Sequence, residues 1–495
     1  MSEKSLKILY VSAEIVPFMK TGGLADVGNA LPIALKSKGH DIRIVMPAYG
    51  SIPNKWQGTQ TNTIDARLNG RTVRGAFRET TLPGTDIPVY LIEHQGYFNR
   101  PQPYGEGGSE YGDNLERFSY FCAAALQGIA ALGWRPDVVS CHDWHTGLVP
   151  VYLEAFYPED PFWGGMPSVF TIHNLAYQGR YGAEGFAKTG LSWEYFSMDR
   201  LEFYGDVNLM KGGILCSTKV NTVSPRYAKE ILQPEAGHGM DGVLRSRRDD
   251  LQGIINGVDY AVWNPATDAY LDHHFNADDM DGKAKAKSAL QRRLGLPEVD
   301  VPVFGIVSRL VYLKGVDLLL GELGNLLARN IQIVILGSGD PAYEQSLAEL
   351  SAAHPEKMSV TIGYDESLAH QIYAGTDFYL MPSRVEPCGL SQLYAMAYGS
   401  VPIVRRTGGL ANTVTDASKT NVATGKATGI VFGAATPRAF EGAVARALAL
   451  FREDRDTYNK IRAAAMCADF SWARSSQAYI DLFQEAINTP CPATR

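Results

Sequence analysis

Arg309 and Lys314 are the two cations of GIVSRLVYLKG, a segment in which an apolar run ends in a polar loop. An arginine offers a planar fork to two phosphate oxygens and a lysine offers a point charge, so both can converge on one anion. Two unrelated, solvated cations are the simpler alternative. The position after a predicted strand favours the anion site, since ligands of parallel sheets bind beyond the carboxyl ends of the strands.

The segment SRVEPCGLSQLYAMAYGS carries groups suited to a phosphate and a sugar. A helix is predicted to begin at Gly389, so the N–H groups of Gly389, Leu390 and Ser391 have no acceptor within it and are available to a phosphate. Glu386 would repel a phosphate, and it suits hydrogen bonds from sugar hydroxyls or the balancing of the two cations. A plain acidic residue at a helix N-terminus is the alternative.

Thr-Gly-Gly-Leu-Ala occurs twice, in KTGGLADV (residues 20–27) and in RTGGLANTV (residues 406–414). In each copy a basic residue precedes two glycines, which let the backbone approach a bulky anion. The first copy supplies four candidate ligand-binding residues, Lys20, Gly22, Gly23 and Asp26. The next helix is predicted to start near Asp26, although a glycine turn beside a surface lysine accounts for the same letters. Our hypothesis is that two similar halves of the chain face one ligand.

Asp143, His173 and Asn174 stand in two further loops, CHDWHTG and TIHNLAYQG, that follow predicted strands. Their mixed donors and acceptors suit a hydroxyl-rich substrate. A metal site is the alternative, but the spacing of His142 and His145 is poor for shared ligation and no H-E-x-x-H pattern occurs. For His142, a buried core histidine is the competing interpretation. The sequence therefore predicts no metal.

Short runs rich in Val, Ile and Tyr precede these loops and recur through both halves of the chain. Near-continuous apolar runs are typical of parallel strands buried on both faces, and helical patterns such as 28–38, 316–328 and 389–399 separate them. We therefore predict an α/β fold with two doubly wound, Rossmann-like domains. Residues 72–94 interrupt the rhythm with a strand–turn–strand pattern, which predicts an antiparallel addition.

The predicted first domain comprises residues 1–255 and the second comprises residues 269–470. Residues 256–268 lie between them and are rich in turn residues, which is typical of a linker. Residues 118–134 are too short for a membrane span and predict a buried helix.

Composition and charge exclude several classes of protein. The 495 residues are 45% hydrophobic and 20% charged, as in ordinary globular chains. A net charge of -7 with scattered Lys and Arg argues against nucleic acid or an anionic membrane as the main partner. Six cysteines without C-x-x-C spacing predict neither a zinc site nor disulfides and favour a reducing, cytoplasmic location.

Seven segments run in order along nearly the whole chain: KTGGLADV, HDWHTGLVPVYL, TIHNLAYQG, NGVDYAVWNP, SRLVYLKG, EPCGLSQLYAMAYG and RRTGGLANTV. Together they resemble the bacterial glycogen synthases and plant starch synthases, which are retaining glycosyltransferases of the GT-B fold. The resemblance implies two Rossmann-like domains that face each other across a deep cleft. The first would serve the acceptor and the second the nucleotide-sugar donor, with a C-terminal helix at about 471–490 crossing back to complete the first domain.

The resemblance also implies the reaction and its residues. Glucose would pass from ADP-glucose to the non-reducing end of an α-1,4-glucan, with retention at the anomeric carbon and without a metal or other cofactor. The implied catalytic residues are Asp143, His173, Arg309, Lys314 and Glu386. The implied substrate-binding residues are Lys20, Gly22, Gly23, Asp26, Asn174, Asn256, Tyr364, Cys388, Gly389, Leu390, Ser391, Gly408 and Gly409.

Individual roles follow from the same resemblance. The two cations neutralise the departing ADP, and the N–H groups of Leu390 and Ser391 meet its distal phosphate. Lys20 and the first glycine pair meet the diphosphate and the sugar, and Tyr364 stacks on adenine. The glucose is held by His173, Asn174, Asn256 and Glu386. Asp26 and Asp143 line the site.

Two departures from the pattern of the family bear on this interpretation. Asn412 stands where the family usually has Asp, which removes a charge, and Ser391 stands for Thr, a mild change because the backbone N–H would bind. Many retaining GT-B enzymes have a second glutamate where this chain has Tyr394, a residue that the resemblance leads us to expect within this family. The absence of that carboxylate favours front-face displacement over a covalent intermediate.

A UDP-glucose-dependent enzyme and an inactive glucan-binding protein are the rival functions. The second is disfavoured because Lys20 and Glu386 are both present beside the two cations. An oligomer is compatible with the sequence.

Overall fold

The computed structural model describes residues 5–68, 70–107 and 109–490 and divides into two compact units. Unit 1 holds the chain up to Gly257 and again from Trp472, and unit 2 is Val258–Ser471. The first division thus falls within the segment 256–268 assigned above to a linker. The last helix belongs to unit 1, where it packs against the first helix.

Unit 1 is built on a nine-stranded sheet with the order β14-β13-β9-β8-β1-β2-β5-β4-β3. The strands of this unit are β1 (Lys7–Val11), β2 (Asp41–Pro47), β3 (Thr59–Leu68), β4 (Arg71–Thr81), β5 (Pro88–Glu93), β6 (Gly105–Glu106), β7 (Ser109–Glu110), β8 (Val138–His142), β9 (Ser168–Ile172), β10 (Arg180–Gly182), β11 (Glu202–Phe203), β12 (Asp206–Asn208), β13 (Lys219–Thr222) and β14 (Leu251–Gly253). Pairing is parallel from β14 to β5 and antiparallel along β5-β4-β3. The antiparallel addition predicted at 72–94 is confirmed, and β3 extends it by a strand that the pattern did not indicate.

Nine helices are described in this unit, and two of them test the predictions directly. They are α1 (Gly23–Ser37), α2 (Gln95–Phe98), α3 (Asn114–Ala131), α4 (Leu148–Phe156), α5 (Leu209–Cys216), α6 (Pro225–Glu230), α7 (Pro234–Gly237), α8 (Asp241–Ser246) and, last in the chain, α18 (Trp472–Ile487). The start of α1 was predicted too late, because its N-cap is Gly22, which has no side chain to mark the boundary. Helix α3 is buried over most of its length, as predicted for 118–134. None of the described helices combines the length and the apolar run that crossing a membrane requires.

Unit 2 contains a six-stranded sheet that is parallel throughout, in the order β17-β16-β15-β18-β19-β20. Its strands are β15 (Val303–Val307), β16 (Gln332–Gly337), β17 (Met358–Ile362), β18 (Phe378–Met381), β19 (Val401–Arg405) and β20 (Ile430–Phe432). Numbered within the unit, this order is 3-2-1-4-5-6, the order of doubly wound dinucleotide-binding sheets. The predicted α/β class with two doubly wound domains is confirmed.

The helices of unit 2 cover both faces of its sheet, since apolar clusters lie on each side. They are α9 (Asp281–Arg293), α10 (Val316–Leu327), α11 (Pro341–Ala353), α12 (Glu366–Gly375), α13 (Ser391–Ala397), α14 (Leu410–Thr413), α15 (Lys419–Ala423), α16 (Pro437–Glu453) and α17 (Arg455–Met466). Local cues explain α16 well: the Thr436 side chain accepts from the N–H of Ala439, and Pro437 occupies the first turn. Its apolar face, which includes Phe440 and Phe451, is buried.

Candidate active site

Each of the two sheets has a point at which the order of its strands reverses. Predicted site residues follow the strands on either side of that point. That point lies between β15 and β18 in unit 2, and between β1 and β8 in unit 1. In open parallel sheets, ligands bind outside the carboxyl ends of the strands at such a point. Lys314 and Glu386 follow β15 and β18, and Lys20 and Asp143 follow β1 and β8.

In unit 2, Lys314 and Glu386 form an ion pair across the reversal point. The Lys314 ammonium donates to both oxygens of the Glu386 carboxylate, at 2.8 and 2.6 Å. The backbone joins the two loops as well, because the N–H groups of Arg384 and Val385 donate to the carbonyl of Leu313 at 2.8 and 3.2 Å. The structure thus brings together two residues that lie far apart in the sequence.

The carboxylate of this pair is held inside the unit. Glu386 is 4% exposed, and Ser383 Oγ donates to its Oε2 at 3.0 Å. Gly315 permits the close packing: it has a φ of +73°, and a Cβ there would lie 2.1 Å from the carbonyl oxygen of Pro382. The arrangement fixes one cation and one carboxylate where the loops after β15 and β18 meet. Arg309, which is exposed, lies in the loop after β15.

The second Thr-Gly-Gly-Leu-Ala turn packs directly on the backbone beside Glu386. Gly409 N–H donates to the carbonyl oxygens of Glu386 and Pro387 at 3.1 and 3.0 Å. A Cβ on Gly408, whose φ is +43°, would lie 1.9 Å from the Glu386 carbonyl oxygen, and one on Gly409 would lie 2.0 Å from that of Cys388. The structure therefore gives both glycines a packing role. The sequence analysis had assigned them to substrate binding and did not indicate this role.

Helix α13 starts later than predicted, with Leu390 as its N-cap and Ser391 as its first residue. Gly389 has a φ of +73°, and its carbonyl, with that of Cys388, accepts from Gln392 Nε2 at 2.9 and 3.2 Å. The N–H groups of the first turn have no acceptor within the helix. This turn follows β18 and lies at the same sheet edge as the Lys314–Glu386 pair.

Tyr364 lies at the same edge but farther along it. It follows β17, an outer strand that β16 separates from β15. Its side chain is 62% exposed, and its hydroxyl donates to Glu366 at the start of α12. An exposed ring at this edge is sterically able to stack on a planar ligand.

In unit 1, Asp143 combines a strained backbone with a perturbed carboxyl group. Its φ is +58° and its ψ is 178°, a region that residues other than glycine rarely adopt. Burial raises the pKa of this carboxyl to about 7, although the N–H groups of His173 and Asn174 donate to its Oδ1 at 2.7 and 3.4 Å. Strain together with a raised carboxyl pKa is typical of functional sites.

His173 forms a buried hydrogen-bonded pair with His142. Nε2 of His173 lies 2.9 Å from Nδ1 of His142, and Nε2 of His142 lies 3.0 Å from Ser140 Oγ. Burial lowers the pKa of His173 to about 3, so its ring is neutral near pH 7. A neutral ring beside Asp143 can donate a hydrogen bond to a sugar hydroxyl or accept one from it, without introducing charge.

The first glycine turn contains the expected cation together with a carboxylate that the sequence analysis missed. Lys20 Nζ lies 2.8 Å from Asp26 Oδ1, so these two predicted residues are in contact. The N–H groups of Thr21 and Gly22 are directed to the buried carboxylate of Glu14, at 2.5 and 3.3 Å. A glutamate inside an apolar run, where an unpaired charge is costly, is the sequence signal that could have identified it.

Asn256 stands apart from these residues in the order of the sheet. It follows β14, the strand at the far edge of unit 1, and is buried. Its Oδ1 has no hydrogen-bond partner in the part of the chain that the structure describes, which leaves an acceptor for a ligand. Across residues 5–68, 70–107 and 109–490, no group of three or more His, Cys, Asp or Glu is arranged to hold a metal ion.

Comparison with known proteins assigns the family. Residues 7–246 match the family model described as the starch synthase catalytic domain, and residues 289–465 match glycosyl transferases group 1. Glycogen synthase 1 of Methylococcus capsulatus is 47% identical over 490 residues, which cover 97% of each chain. The chain belongs to the glycogen and starch synthase family. Glycogen synthase of Geotalea daltonii is 45% identical, over 97% of this chain and 98% of that one.

Solved structures agree with this family assignment. The catalytic domain of starch synthase IV from Arabidopsis thaliana, bound to ADP and acarbose, has a TM-score of 0.90 and 34% identity, and the match covers 98% of this chain and 100% of that chain. Sucrose-phosphate synthase from Thermosynechococcus elongatus, at 16% identity and a TM-score of 0.60, shares the fold alone. This member of the glycogen and starch synthase family is therefore a glycosyltransferase with the two-domain α/β GT-B fold. Its family implies a nucleotide-sugar donor and a glucan acceptor.

Proposed function

We propose that this glycosyltransferase moves glucose from ADP-glucose to the non-reducing end of an α-1,4-glucan and retains the configuration at the anomeric carbon. The observation that carries the proposal is the Lys314–Glu386 pair at the reversal point of the sheet in unit 2. The starch synthase whose structure holds ADP and acarbose supports an adenine nucleotide as the donor. We expect the reaction to take place in the cytoplasm.

The chemistry of the proposed reaction explains why cations are needed. Breaking the bond between glucose and phosphate leaves negative charge on ADP and positive character on the sugar. Lys314 and Arg309 stabilise the departing diphosphate, and the first-turn N–H groups of α13 bind its distal phosphate. Fixed donors at a developing charge are commonly the largest catalytic contribution, because they are already oriented when the charge appears.

Unit 1 supplies neutral and acidic groups for the sugar. His173 and Asn174 offer hydrogen bonds to glucose hydroxyls. Asp143 lies beside them, because its Oδ1 accepts from the backbone N–H groups of both residues. Glu386 of unit 2 accepts from further hydroxyls while it keeps Lys314 in place. Since Tyr394 replaces a second carboxylate, displacement on the front face of the sugar is the proposed route.

Protein cations take the place of a metal in this proposal. ADP release is therefore expected to continue unchanged in the presence of EDTA. A rate that falls with EDTA and returns with a divalent cation would contradict this part of the proposal and leave the donor assignment standing.

The test is nucleotide release from ADP-glucose and from UDP-glucose, each with and without glycogen. Glycogen-dependent ADP release, with growth of the glucan chain, is the expected result. UDP release alone would retain the family reaction but overturn the adenine assignment, including Tyr364. Glucan binding without release from either donor would identify an inactive binding protein.

A further inference from the structure

Glu14 is a buried carboxylate at the reversal point of the sheet in unit 1. It lies three residues beyond the end of β1 and is 3% exposed. Burying a carboxylate is costly unless donors surround it, so its partners indicate what the group is for. All of its hydrogen-bond donors come from segments other than β1.

Both oxygens of this carboxylate hold the first glycine turn. Oε2 accepts from the N–H groups of Thr21 and Gly22 at 2.5 and 3.3 Å, and Oε1 accepts from Thr21 Oγ1 at 2.6 Å. The hydroxyl of Tyr104, ninety residues away in the sequence, donates to the same Oε1 at 2.7 Å. Four donors thus converge on one side chain, two of them from the backbone of the turn.

The backbone of Glu14 is itself fixed. Its N–H lies 3.3 Å from Ser12 Oγ, which donates to the Glu14 carbonyl at 2.9 Å. Helix α1 presses against the same carbonyl, since a Cβ on Gly28 would lie 2.7 Å from it. Through its backbone and its carboxylate together, Glu14 therefore links the end of β1, the turn and α1.

This arrangement decides which N–H groups of the turn remain for a ligand. Those of Thr21 and Gly22 are directed inward, toward Glu14. Gly23 and Leu24 form the first turn of α1, where N–H groups have no acceptor within the helix. The carboxylate is therefore the acceptor that fixes this division.

We propose that Glu14 is a positioning residue for the transfer reaction: it holds the Lys20–Gly23 turn in its ligand-binding conformation before the donor arrives. The inference rests on the proposed function, because it is in that reaction that the turn meets the diphosphate and the sugar. Glu14 acts through the turn and touches no reacting atom. Glu14 is thus needed for transfer although it makes no contact with the ligand.

Two substitutions separate hydrogen bonding from simple packing. Glu14→Ala removes all four bonds, and kcat per folded molecule is expected to fall about a hundredfold, because small displacements of positioning groups have effects of that size. Glu14→Gln can keep all four, with its oxygen toward the two N–H groups and its NH2 toward the two hydroxyls, which also accept. It is expected to stay within about threefold of wild type.

Glu154→Ala is the matched control. Glu154 is another largely buried carboxylate of unit 1, paired with Arg200 at 2.9 Å and away from the turn. Its loss is expected to lower the melting temperature and leave kcat and KM unchanged. If Glu14→Ala behaves in the same way, Glu14 is merely structural and the proposal is overturned.

Hydrogen exchange measures the turn without using activity. The N–H groups of Thr21 and Gly22 are expected to exchange faster in Glu14→Ala, and at the wild-type rate in Glu14→Gln and Glu154→Ala. If Glu14→Ala does not fold, Thr21→Val, at an exposed position, removes one bond and is expected to lower kcat about tenfold. Wild-type kcat and exchange in that variant would overturn the proposal. A wild-type chain that releases no ADP would refute the proposed function instead, while exchange still reports on Glu14.

Discussion

The two turns that share Thr-Gly-Gly-Leu-Ala are held in different ways. In the turn at 21–25, the backbone N–H groups donate to the Glu14 side chain, and a Cβ on Gly22 would meet no atom within 4 Å. In the turn at 407–411, Gly409 donates to backbone carbonyls, and a Cβ on Gly408 would overlap the Glu386 carbonyl oxygen. Gly22 thus leaves space open, whereas Gly408 and Gly409 let one segment of chain touch another.

The ion pairs near the two turns differ in exposure, and the pair near the first turn is again the more open one. The side chains of Lys20 and Asp26 are 36% and 26% exposed, and those of Lys314 and Glu386 are 22% and 6% exposed. An exposed pair contributes little to stability, but a buried carboxylate that loses its cation is strongly destabilising. The comparison shows that an identical short motif can border an open surface in one unit and support a buried charge in the other.

The largest expected effect on turnover comes from Lys314→Ala. It leaves the Glu386 carboxylate buried without its lysine partner, although Ser383 still donates to it, and this is expected to cost about 3 kcal/mol of unfolding free energy. It also removes a proposed donor to the diphosphate. Turnover is expected to fall about a hundred- to thousandfold, as measured by ADP release from the folded variant.

Lys287→Ala provides the control for that variant. Lys287 forms a comparably buried pair with Asp377, at 2.8 Å. Asp377 precedes β18, so this pair lies at the opposite edge of the same sheet. It is expected to lose stability and keep its turnover. If Lys314→Ala also keeps its turnover, the proposed role of the pair in catalysis is wrong.

Asp143→Asn tests the buried carboxyl beside the first turn. Burial is the main cause that raises the pKa of Asp143 to about 7, and the charge of Glu14 adds to it. Between about pH 4 and pH 7 the unfolded chain loses this proton and the folded chain keeps it, so wild-type stability falls as pH rises and then levels off.

The asparagine variant lacks this titration. Its unfolding free energy relative to wild type is expected to rise by about 4 kcal/mol between pH 4 and pH 7 and to stay constant above. Chemical denaturation at several pH values measures the difference, and parallel curves for the two proteins would contradict the raised pKa.

Gly408→Ala and Gly22→Ala compare the turns directly. The Gly408 variant combines a positive φ with a backbone overlap and is expected to lose about 3 kcal/mol. The Gly22 variant has an extended backbone and open space and is expected to change stability by less than about 1 kcal/mol. Melting temperatures of both variants test the contrast, and equal losses would show that the two turns are held alike.

Lys20→Ala should have the smallest effect on stability. Its partly exposed pair with Asp26 is expected to contribute less than about 1 kcal/mol, and that contribution should shrink in high salt. Denaturation at low and high ionic strength measures it. A loss as large as that of Lys314→Ala would remove the distinction between the two pairs.

The amino-acid sequence alone determined the class of the fold and the positions of its loops. Parallel strands that are buried on both faces are apolar at nearly every position, so β15, β16 and β18 of unit 2 are recognisable without tertiary information, as are the buried strands β8 and β9 of unit 1. Because the carboxyl ends of parallel strands share one edge of a sheet, the polar loops that follow these strands lie at that edge, as the sequence predicted. The start of α1 was not predictable, since Gly22 supplies no capping side chain.

Only the tertiary structure decided which groups hold each other. Glu14 meets Tyr104 across ninety residues, and no local pattern encodes a contact at such a separation. The sequence left two roles open for Glu386, and the structure shows that its carboxylate balances Lys314, seventy-two residues away. The packing role of Gly408 depends in the same way on the backbone of Glu386, which the fold brings to it. Local sequence sets backbone preference and burial pattern, whereas side-chain partners and steric overlap exist only once distant segments are packed together.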